Sequence, residues 1–534
     1  MQSEQPKRRR NYIRRSRTGC RTCRLRHVKC DETPVACRNC LSNGWKCEGY
    51  EMARLPLQGK RRQSVPSTPA VAFRWAVTSD EKRCVSFFLH RTVESLASFS
   101  DSSLWHELVF HMCCTEPAVY HAVVALSAVN QDLERHGIPM PGTDSSSSWH
   151  QFALEQCMRS FGLLNKRHVS QDPQLRKVVL VCCLLFVMLE LVLGHYDDAT
   201  VHLQSGLAIL KEMRIQRCTL GLTQATIEDG LLEAFLHLEA QATQHGVLEP
   251  ALSIDDELLY GQRYDDYLYE FQGLQDVRRA LGPLINTGIP FLEKCWSKPA
   301  EEILAMYGDL HDKQQRLLSG LYRFGTHFSR FQHTAYHHLA AKEQRGADML
   351  RLMYLTLDIT VKTCLYTGGT PEPPWYSVDY EDLLSKTLSV IEKFNDRPLM
   401  MIETGVCPPL FMIAAHCPDW SVRMRAIDAL KSWHHCEGYM NSKLVADIVV
   451  EVMKLQLKQV WREIQATGSP PPPHLSFVKH GGEGLGEVDV HISDKFGDVV
   501  CMLPLESDKA LINALASIKT VRMWPCVRAS GILP

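Results

Sequence analysis

Long hydrophobic segments are scarce in this chain of 534 residues. The longest uninterrupted apolar run, Val178–Leu189, holds 12 residues, whereas a helix that spans a bilayer needs about 20. The polar, basic stretch Met1–Arg10 lacks the apolar core of a secretory signal. We therefore expect neither a membrane protein nor a secreted one. We expect the 20 cysteines to be thiols or metal ligands in a reducing compartment.

Sequence signatures of catalysis are also absent. The chain contains no nucleophile elbow, no dinucleotide-binding glycine pattern and no kinase signature, so we expect it not to be an enzyme. The content of 45% hydrophobic and 22% charged residues excludes a wholly disordered chain. Its length favours more than one domain, because a domain usually takes roughly 100–200 residues.

Charge is distributed unevenly, although the formal net charge is only −1. Residues 1–62 hold 17 Lys and Arg against 5 Asp and Glu, a balance of +12, and the remaining 472 residues hold 42 against 55, a balance of −13. A basic segment attached to an acidic body predicts a polyanion-binding module joined to a part with another task.

Six cysteines fall within 28 residues of this basic segment and repeat one spacing, C-x2-C-x6-C, twice: Cys20, Cys23, Cys30, Cys37, Cys40 and Cys47. Two thiolates at Cys-x2-Cys spacing chelate one zinc ion, and structural zinc takes four ligands. Two ions need eight ligand positions, which six sulfurs fill if two of them bridge. The spacing therefore predicts a binuclear zinc cluster rather than clustered free thiols. A zinc ribbon or RING site would use four or eight ligands and draw on histidines, and His27 is the single histidine of the segment.

The first repeat is the more basic of the two. It carries Arg21, Arg24, Arg26 and Lys29 besides His27, whereas the second carries Arg38 and Lys46. A short helix beginning at Cys23 is expected to turn Leu25 and Val28 inward and the basic side chains outward. The first repeat should then face the nucleic acid, and the second should mainly complete the metal cage.

Residues 20–47 resemble the DNA-binding domain of the fungal zinc binuclear cluster (Zn2Cys6, C6-type) transcription factors, most clearly in Arg17–Cys20 and Cys23–Glu32. The resemblance implies two Zn²⁺ ions bridged by Cys20 and Cys37. Cys23 and Cys30 would complete one ion and Cys40 and Cys47 the other. It also implies a helix in the major groove that reads a CGG-type triplet, with base contacts at Arg26 and His27. The matching phosphate contacts are Arg21, Arg24, Arg26 and Lys29.

A basic arm, residues 1–17, precedes the cluster and contains Arg14, Arg15 and Arg17. Such runs contact phosphates or serve nuclear import, so we expect a nuclear protein. Residues 51–79 form an expected linker with Pro56, Pro66 and Pro69. It shows no sustained heptad pattern, and its prolines oppose a coiled coil. The chain is expected to bind double-stranded DNA as a monomer or as a homodimer held by its C-terminal body.

The body, residues 80–466, shows helical periodicity that begins with capping residues at Thr78–Glu81. The apolar helix predicted at Leu175–Leu193 is expected at the centre of its core. Phe87–Leu126, Trp149–Leu210 and Pro408–Ala426 resemble the all-helical regulatory domain of the same factors. That resemblance implies a response to a small-molecule effector, contact with co-regulators or the transcription machinery, or autoinhibition. Residues 467–534 form a Pro-rich break and tail with an expected hairpin, Val488–Ile492 and Val499–Leu503.

The sequence thus predicts a zinc-stabilised DNA-binding domain of two short helix repeats, at 18–50, followed by a large all-α regulatory domain. The predicted function is sequence-specific regulation of transcription of RNA polymerase II genes, with a biosynthetic gene cluster as one target implied by the family. An alternative is a zinc-binding regulator that acts through protein partners with weak or no specific DNA binding. A zinc-dependent ligase or a metal sensor would instead need exchangeable zinc coordination.

Overall fold

The structure is a computed structural model, and it describes residues 18–50, 73, 75–99, 103–140, 147–167, 170, 172, 174–220, 229–248, 268, 270–296, 298–366, 375–394, 397–479, 488–494 and 496–523. The basic arm with Arg14, Arg15 and Arg17 and most of the predicted linker lie outside the described residues. Among the residues that are described, none of the helices is both long enough and apolar enough to cross a bilayer.

The N-terminal domain consists of two short helices, Arg21–Leu25 and Arg38–Ser42, that begin directly after Cys20 and Cys37. In each, the cysteine is the N-cap and its sulfur accepts a backbone N–H from the cysteine three residues later. The predicted start at Cys23 was therefore wrong, because Cys20 caps the helix and its first residue is Arg21, two residues before Cys23. The first helix ends at Leu25, and Val28 is exposed rather than turned inward.

The body is helical along most of its described length. Its α-helices before residue 250 are Ser79–Phe87, Val93–Leu96, Phe110–Thr115, Pro117–His136, Ser148–Asn165, Leu175–Leu193, Tyr196–Leu220 and Asp229–Gln244, with π-helical turns at Phe88–Thr92 and Leu104–Val109. Those that follow are Leu274–Trp296, Ala300–Ala305, Tyr307–Thr334, Ala341–Thr363, Tyr376–Glu392, Cys407–His416, Trp420–Ser432, Ser442–Thr467, Lys509–Ser517 and Lys519–Met523, with a 3-10 turn at Tyr336–His338.

The predicted helical body is confirmed, with short strands at Met400–Met401, Cys436–Glu437 and Met440–Asn441 as its non-helical part. The helix Leu274–Trp296 forms although it contains Pro283 and Pro290, and proline normally breaks a helix. The helical stretch that begins at Ala300 is interrupted at Met306 and ends at Thr334. The capping prediction at Thr78 is confirmed, since Thr78 and Glu81 form a reciprocal capping box.

Two hydrophobic clusters stabilise the body. The larger includes the helices Pro117–His136 and Leu175–Leu193, and the second of these is buried along nearly its whole length from Val178 to Leu193. The smaller lies among Leu274–Trp296, Tyr307–Thr334 and Ala341–Thr363. The helix Ala341–Thr363 supplies residues to both clusters, so it joins them.

The buried carboxylate of Glu437 links the strand Cys436–Glu437 to the start of the helix Cys407–His416. Met400–Met401 pairs in parallel with Cys436–Glu437, which places Glu437 beneath the N-terminus of the helix Cys407–His416. Its oxygens accept backbone N–H groups from residues 405 (2.7 Å), 406 (2.7 Å) and 407 (3.1 Å). His435 Nε2 lies 2.8 Å from Glu437 Oε1, while its Nδ1 donates to the carbonyl of Trp433. Cys407, His435 and Glu437 lie close enough together to resemble a metal site. Their hydrogen bonds instead form a cap at the N-terminus of the helix Cys407–His416.

The predicted C-terminal hairpin is confirmed and has one further strand. Val488–Ser493 pairs antiparallel with Val499–Pro504 on one side and with Leu475–Lys479 on the other. Alternate residues of the central strand, Val488, Val490 and Ile492, are buried against the helical body. The strand Leu475–Lys479 follows four consecutive prolines and was not predicted.

Candidate metal centre and nucleic-acid interface

The six predicted zinc ligands meet in one cluster. Their sulfur atoms fall into two sets of four, Cys20–Cys23–Cys30–Cys37 and Cys20–Cys37–Cys40–Cys47, within which all ligand atoms lie within 4.8 Å of one another. Cys20 and Cys37 belong to both sets, and their sulfurs are 3.5 Å apart. Tetrahedral zinc with Zn–S bonds of about 2.3 Å requires sulfur–sulfur separations of about 3.8 Å. The thiols therefore fit two zinc ions with two shared sulfurs.

Backbone N–H groups surround these sulfurs in the same way in both repeats. Cys20 N–H donates to the sulfur of Cys30 over 3.3 Å, and Cys37 N–H donates to the sulfur of Cys47 over 3.4 Å. Burial raises the pKa of the Cys20 and Cys37 thiols. Burial also opposes ionisation of Cys30 and Cys47, but the backbone donors bring the pKa of both thiols below its usual value. Such donors stabilise the thiolate form in which cysteine binds zinc.

Side chains outside the cluster hold the two repeats together. Tyr50 donates its hydroxyl to the carbonyl of Thr33 over 2.6 Å and lies 3.8 Å from the sulfur of Cys30. Asp31 accepts the backbone N–H groups of residues 38 and 39 at the start of the second helix. The hydrogen bond from the Thr33 hydroxyl, followed by the bond from the N–H of residue 39, lowers the pKa of Asp31. Asp31 lies six residues before Cys37, the N-cap of this helix, so the local sequence pattern did not indicate this contact.

Both helices of the domain end in the same C-terminal cap. In the first, His27 adopts a left-handed backbone with φ of 56°, and its N–H and that of Val28 return to the carbonyls of Arg24 and Cys23. In the second repeat Gly44 takes the equivalent position with φ of 69°. This is the Schellman arrangement, in which glycine is the favoured residue. His27 is therefore placed by a tight turn just beyond the helix.

Arg26 packs against the second repeat. Its guanidinium carbon lies 4.7 Å from the ring centroid of Trp45, a cation–π geometry. Trp45 is 52% exposed, so it supports Arg26 rather than the interior of the zinc cage. One guanidinium nitrogen of Arg26, Nη1, is buried without a hydrogen-bond partner among the described residues.

The basic side chains of the first repeat differ in exposure. His27 and Lys29 are exposed, and Arg24 and Arg26 are half-buried. These four belong to one segment that passes along the outside of the cluster. The cluster itself carries a formal charge of −2 when two Zn²⁺ bind six thiolates, so the neighbouring cations partly offset it. His27 and Lys29 are thus open to a ligand, and Arg24 and Arg26 are partly so.

Arg21 does not share that exposed surface. Its side chain is 5% exposed, and its guanidinium contacts Glu48 of the same domain and Glu81 of the first body helix. Sequence reasoning did not foresee either partner. The role of Arg21 as a phosphate contact stays a prediction, and in the described conformation its charge is directed at two carboxylates.

Two family models match the chain. Residues 18–55 match the fungal Zn(2)-Cys(6) binuclear cluster domain, which binds two zinc ions. Residues 83–239 match the fungal specific transcription factor domain. The first match contains all six clustered cysteines, and the second begins in the helix Ser79–Phe87.

Several curated fungal proteins are similar to the chain. The aspercryptin biosynthesis cluster-specific transcription regulator atnN of Emericella nidulans is 25% identical over 388 residues, which cover 67% of this chain and 60% of that protein. The transcription regulator lscL of Purpureocillium lilacinum is 28% identical over 203 residues, covering 36% of this chain and 48% of that protein. The transcriptional regulatory protein moc3 of Schizosaccharomyces pombe is 45% identical over 53 residues, 10% of each chain.

The chain thus spans about half to three fifths of the length of the first two of these relatives. No solved structure matches it.

Proposed function

Because the chain belongs to the fungal Zn(2)-Cys(6) transcription regulators through its cluster domain and its fungal specific transcription factor domain, we propose that it regulates transcription by binding specific DNA sequences in the nucleus. The observation that carries the proposal is the pair of four-thiol sets sharing Cys20 and Cys37 beside an exposed basic segment. A zinc-folded element of this size with cations on its surface matches the electrostatics of a DNA duplex.

Base and phosphate contacts are assigned separately. Arg26 and His27, at the end of the first helix, read base edges of a CGG-type triplet in the major groove. Arg24 and Lys29, together with Arg14, Arg15 and Arg17 of the basic arm, neutralise phosphates. The support for this division is the helix end at Leu25, which places residues 26 and 27 at the tip of the element.

The proposed domain organisation keeps a basic arm at 1–17, the cluster domain at 18–50, a linker at 51–79, the regulatory domain at 80–466 and a C-terminal tail at 467–534. The two matched ranges, 18–55 and 83–239, fall on the two sides of the proposed linker with small overlap at its first residues. The similar curated proteins are named as transcription regulators, so we propose no catalytic activity for the chain.

Control of a biosynthetic gene cluster is the proposed biological role. Its support is the name of the Emericella nidulans relative, which is described as specific to the aspercryptin biosynthesis cluster. Homodimer formation through the helical body and contact with co-regulators are proposed alongside it. Sedimentation of the full chain with and without DNA distinguishes a monomer from a dimer.

A small-molecule effector is proposed to act on the regulatory domain. The body contains a half-open cleft of about 620 Å³ between the helices Phe110–Thr115 and Leu175–Leu193. Leu108, Met112 and Val178 supply apolar lining, while Glu107 and His111 supply polar groups. A metabolite that binds there should raise the melting temperature of the full chain in a dose-dependent way. A panel of candidates that shifts nothing contradicts the effector proposal.

The decisive experiment selects bound sequences from a random duplex pool with the zinc-loaded full chain. We expect enrichment of a CGG-type triplet and an affinity that falls steeply as salt rises, because several phosphate contacts release counterions. A matched variant, Arg26→Ala, should reduce enrichment of the triplet more than it reduces binding to unselected DNA. Recovery of an unenriched pool, with flat salt dependence, would favour the alternative of a regulator that works through protein partners.

A further inference from the structure

Arg21 lies at the start of the first cluster helix but is almost completely buried. Its Nε is 3.0 Å from Glu48 Oε2, and its Nη1 and Nη2 donate to the two carboxylate oxygens of Glu81 over 2.5 Å and 3.2 Å. The guanidinium is thus held by a carboxylate of its own domain on one edge and by a carboxylate of the helical body on the other. Bidentate pairing of this kind is geometrically specific.

Glu81 is positioned by the body itself. Its side chain is 0% exposed, and its Oε2 accepts the backbone N–H of Thr78 over 2.8 Å in the capping box of Ser79–Phe87. Burial alone would raise the pKa of Glu81, but Arg21 and the helix-capping N–H bring it below its usual value. Glu81 is therefore an ionised, pre-oriented acceptor at a helix N-terminus, where negative charge is favoured.

Aromatic contacts pack the segment before Glu81 against the body. Phe73 and Trp75, which precede Thr78, pack edge-on against Tyr120 with ring centroids 4.9 Å and 5.5 Å apart. The neighbouring His121 is buried and bonds to Gln156 over 2.7 Å. These contacts fix the segment that carries Glu81 on the helix Pro117–His136. The acceptor for Arg21 is therefore part of the packed core of the body.

We propose that the Thr78–Glu81 turn is a docking site on the helical body for the zinc-cluster domain, that Arg21 is the side chain it captures, and that DNA phosphate and Glu81 are alternative partners of Arg21. A guanidinium whose two edges are occupied by carboxylates cannot also receive a phosphate. Docking and DNA binding then weaken each other by the same factor, as thermodynamic linkage requires. The competition with DNA rests on the proposed function, whereas the docking itself does not.

Docking is tested first without DNA, on the zinc-loaded full chain. Glu81→Gln keeps an acceptor for Thr78 but removes the charge that holds Arg21. The matched control, Glu134→Gln, removes the same charge from a surface pair with Arg91. We expect Glu81→Gln to increase the radius of gyration measured by small-angle scattering, with zinc content and helical circular dichroism unchanged, and Glu134→Gln to leave the radius as it was. A folded Glu81→Gln chain with the radius of the unaltered protein overturns the proposal.

A second variant tests docking without a substitution at the buried Glu81. Arg21→Lys keeps a positive charge for phosphate but lacks the two-pronged geometry that fits the Glu81 carboxylate, and it leaves the body sequence intact. It should expand the chain as Glu81→Gln does. An Arg21→Lys chain with the radius of gyration of the unaltered protein would contradict the proposal that Glu81 binds the two-pronged guanidinium of Arg21.

DNA affinity supplies the second readout. On a duplex selected by the full chain, Glu81→Gln and Arg21→Lys should each bind about 5- to 20-fold more tightly than the unaltered chain, within the usual range of coupling between sites. Glu134→Gln should stay within about twofold of it. Unchanged or weaker binding by both folded variants refutes the competition. If no chain binds DNA specifically, including the unaltered one, the proposed function is refuted. Docking is then decided by the radius of gyration alone.

Discussion

The contact between Arg26 and Trp45 yields a prediction for DNA affinity. Replacement of Trp45 by Ala removes the ring that lies 4.7 Å from the Arg26 guanidinium carbon. A cation–π contact at a partly exposed site contributes about 0.5–1 kcal/mol, and Trp45 is 52% exposed. If the ring holds Arg26 in the orientation that meets the base edge, its loss should weaken specific binding about two- to fivefold.

The assay is fluorescence anisotropy of a selected duplex with the zinc-loaded full chain and its variants. Leu41→Ala is the matched control, because Leu41 is 61% exposed on the same repeat and makes no such contact with Arg26. A double-mutant cycle with Arg26→Ala isolates the pair: once Arg26 is absent, Trp45→Ala should cost nothing further. Fully additive losses in that cycle, with zinc content unchanged, would refute the positioning role of Trp45.

Two further predictions concern the body. Glu437→Ala should lower the free energy of unfolding, measured by denaturant titration, by about 3–5 kcal/mol, because the buried His435 and three backbone donors lose their partner. The control Glu381→Ala breaks an exposed pair with Arg425 and should lower it by less than about 1 kcal/mol. Burial lowers the pKa of His245 to about 3, so the folded chain keeps it neutral while the unfolded chain takes up a proton below about pH 6.5. Its contribution to stability is therefore complete above that pH and falls on acidification, by about 1.4 kcal/mol at pH 5.5. His245→Gln should reduce the loss between pH 7.5 and 5.5, and an identical loss in both chains contradicts this origin.

The metal site could be predicted from the sequence because its geometry is local. The two Cys-x2-Cys pairs and their repetition fix which thiols can reach a common ion, and the structure groups them into two sets that share Cys20 and Cys37. The left-handed turn at His27 also had a signal: alignment of the two repeats places His27 opposite Gly44. Without that alignment, the pattern of Leu25 and Val28 misleadingly favoured a longer helix.

Features that depend on distant parts of the chain could not be predicted. Arg21 and Glu81 are separated by 60 residues, and neither local spacing nor charge pattern indicates that they meet. The helix Leu274–Trp296 forms despite Pro283 and Pro290 because its apolar face packs in the smaller core. Leu175–Leu193 shows the opposite case, since its continuous apolar sequence was sufficient to place it in the larger core.

Zinc stoichiometry tests the central claim most directly. The full chain should contain two zinc ions by elemental analysis, as the matched domain and the two four-thiol sets require. Cys20→Ala removes a sulfur common to both sets, so both ions and specific DNA binding should be lost. Cys47→Ala removes a sulfur of one set only, so this chain should retain more zinc than the Cys20→Ala chain. Two ions retained in the Cys20→Ala chain, or a single ion in the unaltered chain, would contradict a cluster built on shared thiolates.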